Sequence, residues 1–168
     1  MNKNLRKMVT AALFAAMIFV LTYFVKVPIA ASGYVHFGDA LIYICAGVLG
    51  GPWAILAGAI GEGLADLIGG YAIYAPATII IKALIAVPFI LTATKKEKFL
   101  TPITALMTIP SGIITVGGYY IADLIIDKNY AIVDIPGNVI QAVGSAVLFI
   151  VIAAAFDAAK LKSKIKLN

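Results

Sequence analysis

Three ionisable side chains, Glu62, Asp66 and Lys82, fall within one otherwise apolar stretch, GEGLADLIGGYAIYAPATIIIKAL. Two carboxylates at i and i+4 share one face of a helix, and a lysine on the next helix can neutralise either. Groups of this kind inside an apolar chain bind a small molecule, relay ions, or tie helices together as ion pairs. Other polar residues recur nearby: Tyr34, His36 and Asp39, then Tyr74, Tyr119 and Asp123, then Asn138 and Gln141 at i, i+3. Amides, phenols and an ammonium supply hydrogen bonds in both directions, which suits recognition more than bond breaking.

The familiar catalytic patterns are missing. There is no GxxxxGK[ST] phosphate loop and no HExxH pair. With one histidine and one cysteine, a zinc site is not expected. Of Ser32, Ser111, Ser145 and Ser163, only Ser32 is near His36, and none has the setting of an activated nucleophile. No catalytic residue, metal or cofactor is therefore assigned.

The elements that carry these residues must be membrane helices. The chain is 62% hydrophobic and 12% charged, with a mean hydropathy of +1.03. A soluble exterior needs more charge than that, whereas lipid covers apolar surface without cost. The net charge of +5 does not indicate nucleic acid, because arginine occurs once and no basic stripe carries interleaved aromatics. Cys45 lies in an apolar run and reads as packing. The first apolar run, Met8 to Val25, follows Lys3, Arg6 and Lys7 like a signal peptide, with small residues at 30–33. More membrane follows it, so it reads as a retained first helix.

Glycine, proline and charge clusters divide the chain into six expected spans, at 7–26, 37–50, 52–70, 76–94, 100–125 and 136–159. The expected fold is all-α, one membrane-embedded six-helix domain over residues 1–168. Gly50-Gly51-Pro52 suits a tight reversal between spans two and three. Ten of the thirteen basic residues lie in three places: Lys3, Arg6 and Lys7; Lys95, Lys96 and Lys98; and Lys160, Lys162, Lys164 and Lys166. Six spans put all three on one side, which the positive-inside rule makes the cytoplasm, with both termini inside. All eight tyrosines then map to the outer half, and Trp53 to an inner turn.

Under this topology the polar groups also gather in the outer half. Lys82, six residues into its span, lies about 9 Å deep. An ion pathway would need such groups through the full depth. The pattern instead describes a cup open to the outside above an apolar plug. Tyr34, His36, Asp39, Tyr74, Lys82, Tyr119, Asn138 and Gln141 form the expected substrate site. Lys82 is expected to point into it, its charge held by Glu62 or Asp66, the structural polar pair. Helix capping by His36, Asp39 or Asn138, and simple tethering by Glu62 and Asp66, remain open as other uses. In the first span, Ala11 with Ala15 and Ala12 with Ala16 form small-xxx-small pairs that allow close helix approach.

Taken in order, HFGDA, GGPW, LADL, YAPATIIIKAL and PGNVIQAVGSAVL give a resemblance covering nearly the whole chain. The chain resembles the substrate-binding S components of prokaryotic energy-coupling factor (ECF) vitamin transporters. The resemblance implies a six-helix protein of the cytoplasmic membrane, binding a vitamin or precursor from outside. It also implies a membrane-embedded T component and two ATPase subunits as partners, with the alanine pairs of the first helix as the docking motif. Thiamine-specific members carry pocket tryptophans, absent here, so the resemblance points to the riboflavin, pyridoxine or hydroxymethylpyrimidine group. The competing expectation is a self-sufficient small carrier or channel driven by an ion gradient through Glu62 and Asp66.

Overall fold

The computed structural model describes residues 2–28, 34–94 and 96–165. Ser32, Lys95, Lys166 and the small residues at 30–33 therefore lie outside the described residues. The chain runs α1 (Lys3–Phe24), β1 (Lys26–Pro28), β2 (Tyr34–His36), α2 (Gly38–Leu49), α3 (Gly51–Gly69), α4 (Ala75–Thr92), α5 (Pro102–Leu106), α6 (Thr108–Ile126), α7 (Ile135–Ala158) and α8 (Leu161–Lys164).

The structure is mostly helical, with two departures from the expected pattern. The connection between α1 and α2 contains a short antiparallel pair, β1 with β2, in which Lys26 faces His36. The expected span 100–125 is divided at Met107 into α5 and α6. Pro110 explains the break, because it has no N–H for the Leu106 carbonyl one turn earlier. Pro102 and a Thr101–Thr104 capping box start α5 sharply. The Gly50-Gly51-Pro52 reversal is present, with φ of 61° and 53° at the two glycines.

Four helical segments are long and apolar enough to cross a membrane: α1, α4, residues 102–126 and α7. α3 has 19 residues but carries Glu62 and Asp66, and α2 has only 12. The burial pattern runs opposite to that of a water-soluble protein. Large apolar side chains face outward on every long helix, among them Leu13, Leu91, Ile113, Ile125 and Val151. Asp39, Glu62, Lys82, Asp123, Gln141 and Ser145 are buried. Lipid is the solvent that makes this distribution stable.

Glycine sets how closely α3 can approach its neighbours. A Cβ on Gly61 would stand 2.7 Å from the Ala15 carbonyl oxygen of α1, and one on Gly63 would stand 2.6 Å from the Ile79 side chain of α4. Below the polar residues, Tyr43 of α2 stacks on Phe89 of α4 at 4.3 Å, and Phe149 of α7 meets Phe89 edge-on at 5.0 Å. Tyr43 thus belongs to the plug, although its position grouped it with the outer tyrosines. At the far end, Asp157 accepts the Phe99 and Leu100 N–H groups at 2.8 Å, and Lys162 donates to the Ala93 carbonyl at 2.7 Å.

The close approach at Gly61 predicts that Gly61→Ala destabilises the purified chain by about 1–3 kcal/mol, the scale of overpacking. Gly117→Ala, where a Cβ meets nothing within 4 Å, should leave melting in detergent unchanged or slightly raised. Equal melting of the two variants would contradict the close packing of α1 on α3.

Candidate functional site

Helical periodicity assembles the site. On α4, Tyr74, Thr78 and Lys82 recur every fourth residue, and on α6 Thr115, Tyr119 and Asp123 do the same. Gln141 and Ser145 form a matching row on α7, and Glu62 with Asp66 on α3. α2 presents Asp39 from its first turn. The β1–β2 pair carries His36 inward, where it is buried.

Two connected tiers result. In the deeper one, the Lys82 ammonium donates to Asp39 Oδ1 at 2.7 Å and lies 3.2 Å from Glu62 Oε2. Gln141 Nε2 donates to Asp39 Oδ2, and its Oε1 accepts the His36 backbone N–H, both at 3.4 Å. His36 Nδ1 accepts the Gly38 N–H at 3.2 Å, which leaves the ring proton on Nε2, facing Glu62 at 3.3 Å. Burial, and then the Lys82 charge, push the imidazole down to about 3, in keeping with this neutral tautomer. The deeper tier therefore joins α2, α3 and α4 through Lys82, and adds α7 and β2 through Gln141 and His36.

The upper tier is built on Asp66. Its Oδ1 accepts the Tyr34 hydroxyl at 2.7 Å, its Oδ2 accepts Thr78, and Thr78 lies 3.0 Å from the Tyr119 hydroxyl. Burial and the adjacent Asp66 charge hold the Tyr34 phenol above its usual range, so it remains a donor. Tyr34 packs on Tyr71, and the Lys26 ammonium lies 5.0 Å from the Tyr34 and Tyr23 ring centroids. Tyr74 donates to Asp123 at 2.9 Å. Tyr119 also connects the tiers, its ring 5.2 Å from the Lys82 ammonium.

The expected site residues are thus divided. Tyr34, His36, Asp39, Lys82, Tyr119 and Gln141 belong to the connected tiers, Tyr74 stands beside them on Asp123, and Asn138 is half-buried one turn before Gln141. Glu62 and Asp66 take different partners, Glu62 meeting Lys82 and His36 while Asp66 meets Tyr34 and Thr78, and through Lys82 and Thr78 both contact α4. The Lys82 charge is held by Asp39 and Glu62, because α2 brings Asp39 alongside α4. Asp39 accordingly does not cap α2, whose first N–H, on Gly38, bonds His36 Nδ1 instead. Thr78, and Thr22, whose hydroxyl lies 3.5 Å from His36 Nδ1, join the site without a charge to mark them in the sequence. The i+4 step from Thr78 to Lys82 was the available signal. His36, Asp39 and Glu62 place ligand atoms within 4.8 Å of one another, a set suited to a metal by type. Lys82 already supplies the cation there.

On α1 the two alanine pairs separate. Ala11 is buried and Ala15 half-buried against the bundle, whereas Ala12 and Ala16 are exposed beside Leu13 and Met17.

Comparison with known proteins decides the family. The model of the ECF-type riboflavin transporter S component family matches residues 2–158. The chain belongs to this family. It is therefore a membrane-embedded substrate-binding subunit of a vitamin transporter, a role that needs no catalytic residues. It is also 33% identical over 134 residues to an uncharacterized protein in the gap 3′ region of Pyrococcus woesei, a match covering 77% of this chain and 86% of that protein.

Removing the Lys82 charge should leave two buried carboxylates uncompensated, at a cost of about 3–5 kcal/mol. Lys82→Met should therefore melt far below the parent in detergent. Adding Asp39→Asn and Glu62→Gln should restore part of the loss. An unchanged melting temperature in the single variant would mean that the pair carries no structural weight.

Proposed function

We propose that this S component captures riboflavin, or a similarly flat heterocycle such as pyridoxine or hydroxymethylpyrimidine, from outside a prokaryotic cytoplasmic membrane. In this reading six segments cross the bilayer, α5 and α6 acting as one, with both termini in the cytoplasm. The observation that carries it is the one-sided interior. Two tiers of hydrogen-bonding groups lie above a Tyr43–Phe89–Phe149 plug.

The upper tier and the outer ends of α6 and α7 supply the ligand contacts. Tyr34, Tyr74 and Tyr119 offer aromatic faces and hydroxyls, and Asn138 and Gln141 offer amides that match ring nitrogens and carbonyls. His36, Asp39 and Lys82, already engaged by the Lys82–Asp39 bond and by Glu62, hold the floor of the site. Asn138→Ala is expected to weaken binding by about 0.5–1.5 kcal/mol, the scale of a neutral hydrogen bond, or roughly two- to tenfold.

Delivery depends on partners, a T component and two ATPase subunits. Exposure of Ala12 and Ala16 supports that edge of α1 as the docking face, since small residues let helices meet closely. A self-sufficient carrier is less well supported, because the polar groups end at the plug.

Titration calorimetry of the purified chain with riboflavin, pyridoxine and hydroxymethylpyrimidine tests capture. Saturable binding of one is expected. Failure of all three, together with gradient-driven uptake by the chain alone in proteoliposomes, would replace this reading with the carrier. For delivery, Ala12→Leu with Ala16→Leu should abolish uptake and co-purification with the T component while ligand affinity is kept. Retained uptake would remove this face from docking. For orientation, a cysteine replacing Lys128 should react with impermeant reagents in intact cells and one replacing Lys164 should not.

A further inference from the structure

A second ammonium stands beside the Asp66 tier, and aromatic rings hold it instead of carboxylates. Lys26 Nζ lies 5.0 Å from the Tyr23 and Tyr34 ring centroids and 6.0 Å from that of Tyr71. Tyr34 and Tyr71 are themselves 4.9 Å apart. The last turn of α1, strand β2 and the connection from α3 to α4 thus each bring one ring to the same cation. Among the described residues Lys26 forms no salt bridge.

Two further features make this corner attractive to positive charge. Tyr34 donates its hydroxyl to Asp66 Oδ1 at 2.7 Å, and a phenol bonded to a carboxylate is polarised toward a more electron-rich ring. α3 ends at Gly69, where a Cβ would stand 3.7 Å from Lys26 Nζ and 3.7 Å from the Tyr23 ring. The last carbonyls of a helix carry partial negative charge, which favours a cation against its final turn.

Lysine is a poor occupant for such a place. Its ammonium is compact and strongly hydrated, and ring faces replace few of the hydrogen bonds it makes to water. A flat cation whose charge is spread over a ring is more weakly hydrated and can stack, so it gains more from the same three faces. Lys26, Tyr23, Tyr34 and Tyr71 are all half-buried, which leaves the place open to exchange.

We propose that Tyr23, Tyr34 and Tyr71 form an aromatic site for a flat, positively charged heterocycle, in which Lys26 stands in for the cation that the ligand brings. The inference rests on the reading of the chain as a vitamin-binding subunit and narrows its substrate class. The preferred ligand is a protonated or N-alkylated pyrimidine or pyridine, ahead of a neutral ring of the same shape. Asp66 selects for the charge through Tyr34, and Lys26 swings aside when the ligand enters.

The test compares hydroxymethylpyrimidine with its ring-N-methylated form, a permanent cation of nearly the same shape, on the full purified chain. At a pH where the parent pyrimidine is neutral, calorimetry should show the methylated form binding more tightly. The expected gain is roughly two- to thirtyfold, the range of a cation–π contact. Tyr71→Leu should shrink that preference. Lys26→Met should bind the methylated form more tightly than the parent does, because the competing ammonium is gone. Lys26→Gln should show the same gain if the methionine variant does not fold. The proposal fails if the two forms bind equally, if the neutral one binds better, or if Tyr71→Leu keeps the full preference. It fails also if the Lys26 variants bind the methylated form no better than the parent, since the lysine is then a fixed part of the fold or a ligand contact. Riboflavin separates this failure from a wider one. Saturable riboflavin binding without binding of the methylated pyrimidine overturns the aromatic cation site and leaves the vitamin-binding reading intact, whereas binding of none of the three overturns both.

Discussion

The deeper polar cluster of this protein is arranged around one buried ammonium. Lys82 is inaccessible to solvent and sits between Asp39 and Glu62. An ion removed from water loses several kcal/mol of solvation, which only well-placed opposite charges and hydrogen bonds offset. The constraint spreads outward from there. α2 must begin deep enough to offer Asp39 in its first turn, and β2 must descend to set His36 against Glu62. α3 must lie close enough to its neighbours to bring Glu62 into reach, which its glycines permit. Gln141 then fixes α7 to the same centre by contacting both Asp39 and the β2 backbone.

A rigid floor of this kind serves a binding subunit well. Side chains whose rotamers are already locked lose little entropy when a ligand arrives. Tyrosine hydroxyls and the Asp66 tier lie to one side of this floor, and an aromatic layer closes the core on the other. This arrangement suits an S component, the substrate-binding subunit of a vitamin transporter, the family to which the chain belongs.

The sequence made the helical architecture legible because lipid demands long apolar runs, and glycine and proline mark where they stop. The Gly50-Gly51 reversal and the brevity of α2 followed from such marks. The burial of the polar residues was legible too, since a charge amid apolar residues stands out in any reading. Their pairing was not. Asp66 and Glu62 are equivalent by spacing, and only the packing of α2 against α4 decides that Lys82 takes Asp39 and Glu62 while Asp66 turns to Tyr34 and Thr78. The division at Met107 was obscured because Pro110 lies inside a continuous apolar run. The β1–β2 pair was too short for alternation to register. Tyr43 misled for a related reason, because its distance along the chain could not tell an outer wall from a core ring. The two alanine pairs of α1 are likewise one residue apart, and only the bundle shows which edge is exposed.

A ligand-bound structure of the purified chain tests the central claim most directly, namely that the Lys82 cluster is a closed floor beneath an outward-facing site. The predicted result is a ligand against Tyr34, Tyr119 and Asn138, with the Lys82–Asp39 contact and the Tyr43–Phe89–Phe149 layer unchanged. A ligand lying below Lys82, or a water-filled path continuing past Phe149, would contradict it.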